Sequence, residues 1–419
     1  MKRISFMWML VLLLGASLFS FSAIQASAET LPQLDFGVAN YRMTVEGRID
    51  SPEELQQARE RGFFASNVAR ATRIEELIAA GVEEPLAFDY VLPRLSETIA
   101  EIRRALERPV QNATLRFLPD ESVPFAYTHE QSGKKLNEPA LYRAVLSALR
   151  NGETKIRPEV ISVSPAVTEA ELRRKTSLRG KFSTDYSSSG AARKHNVQLA
   201  MQKLKGLVVL PGERVSFNSV VGARTQANGF RNAKVILNGV YTDGIGGGVC
   251  QVSTTLYNAC LLANVSVNTV APHSLQSSYV LPAFDAMVSE TTDLAFTNQT
   301  GSPLYLVTKC NGATASVYLY GEENPYEIKR VSKVVSREAQ GYEERPDTDG
   351  TFVTFEDETY VLRPPRDSVL GKAYLQYLKN GRIEKEVCIR TVRYRGEKGV
   401  RLHGVQKRTE GSVPEESAA

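Results

Sequence analysis

The stretch Asp243-Gly244-Ile245-Gly246-Gly247-Gly248-Val249-Cys250-Gln251-Val252-Ser253-Thr254-Thr255-Leu256-Tyr257 decides how this chain is read. Three consecutive glycines leave the backbone free to turn its N–H groups toward a ligand. Helical spacing begins directly after them. Val252, Leu256 and Cys260 recur at intervals of four, and Leu261 and Leu262 extend the apolar side. Cys250 therefore falls at or just before a helix N-terminus, where unpaired amides and the positive end of the helix dipole favour a thiolate. The amides of Gly247, Gly248 and Val249 are placed to hold the oxyanion that forms when a thiolate attacks a carbonyl. The pattern suits acyl transfer.

Other roles for these residues stay open. A glycine-rich loop before a helix can bind phosphate, but no Gly-Lys-Ser/Thr ending and no G-x-G-x-x-G after a clear strand is present. Cys250 as a disulfide partner of Cys260 is excluded if both lie on one helix. Ten residues at the helical rise span about 15 Å, against a Cα separation limit near ~7 Å. A cysteine nucleophile needs a base, and the histidines are His129, His195, His273 and His403. Pro272-His273-Ser274 follows the helix and strand after Cys250 and returns near the glycine loop if the chain doubles back. His195 sits among exposed polar neighbours of a helix, so His273 leads on position.

The chain has 419 residues, 42% hydrophobic and 23% charged, with 51 basic and 47 acidic side chains. That is ordinary soluble composition, long enough for two or three domains. The formal charge of +4 would fall to +2 on loss of Lys2 and Arg3. This balance, with no basic stripe interleaved with aromatics, argues against a nucleic-acid partner. Lys2 and Arg3 precede an apolar run over residues 4–23, and Ala26-Ser27-Ala28 supplies a small-x-small cleavage site. Residues 1–28 therefore read as a signal peptide, with an uncleaved membrane anchor as the alternative; either places the remainder outside the cytoplasm. The four cysteines include no C-x-x-C, and no H-x-x-x-H or similar spacing occurs, so no metal and no cofactor is expected. Cys310 and Cys388 sit at strand ends and leave a disulfide open. Cys260 is expected as a buried small hydrophobe.

The fold class is expected to be α+β. Ser51 with Glu54 forms a capping box, Leu95–Leu106 and Ala191–Leu204 have helical spacing, and Asn137 and Gly152 bracket another helix. Residues 113–118 read as a strand. Asn238-Gly239, Asn311-Gly312 and Asn380-Gly381 each separate strand-like runs, a strong hairpin signal.

Taken together, these residues resemble the VanW family of bacterial cell-envelope proteins. The matching segments are Phe182-Ser183-Thr184, Arg193 with Asn196, Pro211-Gly212-Glu213, Phe217-Asn218, Val221-Gly222, the stretch from Gly246 to Tyr257, Pro272-His273-Ser274, Tyr279, Asp285-Ala286 and Asn298. A softer likeness to a YoaR-like peptidoglycan-binding domain precedes it. The resemblance implies a YoaR-like domain (70–178) and a VanW domain with hairpins around one central helix (179–322); residue patterns and composition add a signal peptide (1–28), an N-terminal helical segment (29–69), a β-rich segment (323–404) and a disordered tail (405–419).

The family was first named for its association with vancomycin resistance, and some members are understood to be L,D-transpeptidases. The resemblance thus implies an exported cell-wall protein whose partners are peptidoglycan stem peptides, with Cys250 as nucleophile, His273 as base, and 3→3 crosslinks as product. Gly246, Gln251, Ser253, Ser274 and Tyr279 are the implied substrate-binding residues. The alternative is a non-catalytic wall-binding or scaffold protein. This chain departs from the family where Tyr-Val-Pro-x-Gly-Arg-Asp-Ala is common: Ala283-Phe284 replaces Gly-Arg. Asp285 is expected either to orient His273 or to cap a turn, the turn role being favoured because Asp is common there.

Overall fold

A computed structural model describes residues 31–44, 51–61, 65–237 and 240–408. The expected leader, most of the expected tail and the Asn238-Gly239 turn lie outside the described residues. The described chain forms two compact units. One holds the residues up to Ala113 with His129–Thr168. The other holds Thr114–Thr128 with the residues from Glu169 onward. Mixed helix and strand make the architecture α+β.

In the first unit, helices Asn67–Ala79, Glu84–Val91, Leu95–Leu106 and Glu138–Asn151 share a core that includes Ile74, Phe88, Ile99 and Val145. Leu95, Ile99 and Ile102 are buried at intervals of four and three, the spacing of one helical face. Asn137 caps the last helix by accepting from the Ala140 amide at 3.3 Å, as its sequence predicts. The expected helical character of residues 29–69 holds for Pro52–Glu60, whose Ser51–Glu54 capping box forms, and needs correction for residues 33–42. Gln33–Asp35 and Asn40–Arg42 pair as antiparallel strands. Leu34, Phe36, Tyr41 and Met43 are buried while Gln33, Asn40 and Arg42 face out, a period of two that a helix cannot satisfy.

The second unit carries the candidate site. Its elements run β1 (Ser177–Asp185), α1 (Ala191–Leu204), β2 (Val208–Val209), β3 (Asn232–Leu237), β4 (Val240–Ile245), α2 (Val249–Leu262), β5 (Leu304–Cys310), β6 (Thr314–Gly321), β7 (Glu327–Glu338), β8 (Ser368–Lys379) and β9 (Arg382–Tyr394). An antiparallel sheet in the order β1-β6-β5-β2 backs helix α2. Val252, Leu256 and Cys260 of α2 share one core with Val317 and Leu319 of β6. A second antiparallel sheet, β7-β8-β9, contributes Ile328, Val369, Ala373, Leu375, Val392 and Tyr394 to that same core. The β-rich stretch that begins at residue 323 is thus continuous with the core around α2.

The hairpin of Thr114–Phe117 and Phe125–Thr128 also packs with this unit. Phe117 and Phe125 lie 5.4 Å apart, and Phe125 meets Tyr305 and Tyr320 edge-on at 5.3 Å each. These rings hold the hairpin against Tyr305 of β5 and Tyr320 of β6. Asn380 and Gly381 adopt positive φ between β8 and β9, the conformation the hairpin signal predicts.

Asn298 shows how loops of this unit are fixed. It is fully buried, donates to the Val209 and Ser302 carbonyls at 2.8 and 2.9 Å, and accepts from the Thr300 amide at 2.9 Å. Asn298→Ala strands these groups in a dry site, and we expect a loss of about 2–4 kcal/mol in urea unfolding. A change inside about 0.5 kcal/mol would contradict this account.

Candidate functional site

Helix α2 is buried from Gln251 through Leu261 although it carries Gln, Ser, two Thr and Asn. Each polar group has a specific partner. Gln251 donates to Thr184 Oγ1 at 3.0 Å and to the Asp185 carbonyl at 2.7 Å, and accepts from Arg193 Nη2 at 2.7 Å. Thr255 meets Thr184 at 2.8 Å. Ser253 donates to the Ala286 carbonyl at 2.6 Å, Thr254 accepts from the Ala286 amide at 2.9 Å, and Asn258 donates to the Phe284 carbonyl at 2.8 Å. The helix therefore grips residues 284–286 through three polar side chains, Ser253, Thr254 and Asn258. Asp285 lies within that segment, and Val288 lies just beyond it.

Cys250 stands in the first turn of α2 and is partly exposed. Its Sγ lies 3.3 Å from the Val288 carbonyl oxygen, within hydrogen-bond reach for a thiol. The N-cap, Gly248, has φ +108°, a left-handed conformation that side-chain-bearing residues rarely adopt. Asn196 of α1 pins this loop, donating to the Gly247 and Arg231 carbonyls at 3.0 and 2.9 Å.

His273 is buried, lines the same groove as Cys250 and is near enough for each to act on the other's charge. Its Nδ1–H donates to Asp285 Oδ2 at 2.8 Å, which leaves Nε2 for the sulfur. The His273 amide donates to the same carboxylate oxygen at 2.6 Å. Tyr394 Oη donates to the other oxygen at 2.5 Å, and Arg390 Nη2 lies 3.3 Å from it. Asp285 thus orients His273; the favoured turn role is corrected, because its lone pairs face the imidazole.

Burial pushes the Asp285 carboxyl up, but the bonds from His273 and Tyr394 hold it below the usual carboxylate range. Burial pulls His273 down, and the bonds to Asp285 and Cys250 outweigh this and lift it to about 9. Burial raises the Cys250 thiol; contact with His273 and the charge of Arg224 bring it below its ordinary value. All three directions favour a thiolate–imidazolium pair next to an ionised carboxylate.

Cys250 and His273 face a groove of about 490 Å³ that is also lined by Gly246, Gly247, Gly248, Arg193, Arg224, Tyr279 and Glu290. A larger, shallower concavity of about 670 Å³ around Arg174, Arg179, Asn264 and Glu322 contains neither a cysteine nor a histidine. Several expected roles change. The Val249 amide donates to the Gly246 carbonyl at 3.1 Å, so it is not a free oxyanion donor. Among the described residues the amides of Gly247, Gly248 and Cys250 have no such partner. Ser253 is sealed inside with its hydroxyl engaged, and Gln251 is buried and engaged at both ends, so neither is free to bind substrate. Ser274 does not line the groove; its carbonyl accepts from the Arg395 amide. His195 Nε2 lies 2.9 Å from the Gly229 carbonyl, and His129 belongs to the first unit with Gly133. All four cysteines are free, so Cys310 and Cys388 are not bridged.

Three site residues escaped the sequence. Arg390 and Tyr394 come from β9, where Arg390, Val392 and Tyr394 fall on one face at a period of two. An arginine at an inward position was the available signal. Arg224 sits in a loop and carries no signal of its own.

Residues 192–320 match the family described as "VanW like protein", and residues 62–157 match the family described as "Putative peptidoglycan binding domain". The uncharacterized protein YoaR of Bacillus subtilis (strain 168) is 34% identical over 189 residues, covering 44% of this chain and 62% of its own. Vancomycin B-type resistance protein VanW of Enterococcus faecalis (strain ATCC 700802 / V583) is 29% identical over 100 residues, 23% of this chain and 36% of its own. The chain thus spans less than two thirds of either relative. The crystal structure of HP0197-G5 aligns with 19% of this chain and 99% of its own at 15% identity, with a TM-score of 0.11 that carries no argument. The chain carries a VanW-like domain at residues 192–320 and, ahead of it, a domain of the peptidoglycan-binding family at residues 62–157.

Proposed function

We propose that this protein works outside the cytoplasm on the cell wall as a cysteine L,D-transpeptidase. The observation that carries this reading is that Cys250 and His273 line one groove while buried Asp285 bonds His273 Nδ1 from behind. The Cys250 thiolate attacks the carbonyl between the third residue and the terminal D-Ala of a stem tetrapeptide. The oxyanion takes hydrogen bonds from the Gly247, Gly248 and Cys250 amides. As the tetrahedral adduct collapses, His273 Nε2 gives its proton to the leaving D-Ala nitrogen, and a thioester remains. Neutral His273 then takes a proton from the side-chain amine of a second stem. That amine attacks the thioester, Cys250 leaves, and a 3→3 crosslink results.

Expulsion of amide by amine needs no external energy source, which suits chemistry beyond the membrane. No helix among the described residues is long and apolar enough to cross a bilayer.

Incubation with a tetrapeptide stem or a carbapenem-class β-lactam should leave a covalent adduct on Cys250, read by intact mass. Cys250→Ser should abolish 3→3 crosslinks from purified muropeptides. Wild-type-like turnover in that variant removes the enzyme and leaves a wall-binding protein.

The reactive pair exists only where the thiol is ionised and His273 is protonated. Acylation should therefore rise through a thiol pKa below the free-cysteine value near ~8.5 and fall as pH passes about 9. Asp285→Asn withdraws the charge that holds the imidazolium. It should move the thiol inflection upward and slow acylation by about 10²-fold or more. An unmoved inflection would break the proposed relay.

Tyr394 acts through Asp285 as a positioning residue. Tyr394→Phe should raise the acidic limb of the pH profile and cut acylation by roughly tenfold, the scale of one lost charge-assisted bond. Lowered thermal stability with an unchanged pH profile would mark Tyr394 as structural alone.

A further inference from the structure

The groove holds a cation that stands outside the hydrogen bonds linking His273 and Asp285. Arg224 lines the same groove as Cys250 and is half-buried. Its guanidinium is held by neutral oxygens: Nη2 donates to Asn218 Oδ1 at 2.5 Å and Nη1 to the Ser289 carbonyl at 3.3 Å. No carboxylate forms an ion pair with it among the described residues, although Asp293 and the groove-lining Glu290 are near enough to act on its charge. Asp293 is occupied by Ser216 Oγ at 2.5 Å and the Asn218 amide at 2.9 Å. The other cations of the groove are engaged. Arg193 donates to Gln251 and Ser189, and Lys234 pairs with Asp243 at 3.0 Å.

The glycine loop makes room for this side chain. A Cβ at Gly246 would fall 2.8 Å from Arg224 Cβ and 3.0 Å from its Cγ. Gly246 thus seats the aliphatic stem, and the guanidinium keeps donors to spare. Arginine has five N–H groups in a planar fork that matches a carboxylate in bidentate fashion. In a half-buried groove such a pair is screened less than on open surface.

We propose that Arg224 forms a carboxylate-binding subsite beside Cys250 and selects acyl donors whose leaving residue ends in a free carboxylate. This rests on Cys250 being the accessible nucleophile proposed above. It confines the donor to stems in which the residue after the attacked carbonyl is the last, and it disfavours donors extended or amidated at that end.

The test compares alkylation of Cys250 in the full chain by anionic iodoacetate and neutral iodoacetamide, read on the Cys250 peptide by mass. The ratio of the two rates cancels the thiolate fraction. Relative to the denatured chain, the folded protein should favour iodoacetate about tenfold; Arg224→Gln should abolish that preference, and Arg224→Lys should keep part of it. N-acetyl-D-alanine should also protect wild-type Cys250 from iodoacetamide better than N-acetyl-D-alaninamide does, a measurement independent of whether the variants fold. An equal ratio in wild type and Arg224→Gln, or equal protection by acid and amide, overturns the subsite. If the tetrapeptide acylates Cys250 without such selectivity, the subsite falls and the transferase stands. If carboxylate selectivity is found without any acyl adduct, the subsite stands and the transferase falls.

Discussion

The grip of helix α2 on residues 284–286 underlies the whole candidate site. A helix buried on every side cannot leave polar groups without partners, because each orphan costs about 1–3 kcal/mol. Ser253, Thr254 and Asn258 meet that demand by bonding the backbone of Phe284 and Ala286. The same bonds fix where Asp285 stands, and Asp285 fixes His273. A packing requirement in the core thus becomes a positioning device for the imidazole. Cys250 needs no separate support, since it rides on the first turn of the helix that does the gripping.

The core and the chemistry are joined a second time through sheet β7-β8-β9. Tyr394 donates to Asp285 and accepts from the Ala283 amide at 2.7 Å. Arg390 donates to the Ala283 carbonyl at 2.9 Å through Nε. These groups approach Asp285 from the side opposite His273, so the carboxylate is held between an imidazole and a phenol. An isolated buried carboxylate would protonate; surrounded by donors, it stays ionised and can stabilise imidazolium. Strands more than a hundred residues downstream therefore belong to the site as fully as the helix does.

What the sequence disclosed divides along the range of the interactions. Local rules placed Leu95–Leu106 and Ala191–Leu204 by spacing, the Asn137 and Gly152 termini by capping, and the Asn311-Gly312 and Asn380-Gly381 turns by their backbone demands. The position of Cys250 in the first turn was legible for the same reason. Tyr394 and Arg390 were not, because nothing in a strand's alternation says which distant carboxylate it will meet. Ser253 and Gln251 misled for a related cause. A hydroxyl or amide near a nucleophile looks like a substrate ligand until burial shows its partners to be internal. Val249 misled because the turn through Gly246 consumes its amide.

The Ala283-Phe284 departure can be weighed by the same physics. Ala283 has φ +67°, a left-handed conformation in which a Cβ costs roughly 1–2 kcal/mol and glycine costs little. Here Tyr394 and Arg390 bind both its amide and its carbonyl, so the strained backbone is held from outside. Phe284 is sealed from solvent and presents its ring to the Arg330 guanidinium at 4.7 Å; Arg330 also covers Phe182 at 4.1 Å and donates to Asn258. Position 284 therefore points into the core and does not line the groove. The exchange of Arg for Phe there alters how the gripped segment is packed, while the groove keeps its cation in Arg224, on a separate loop.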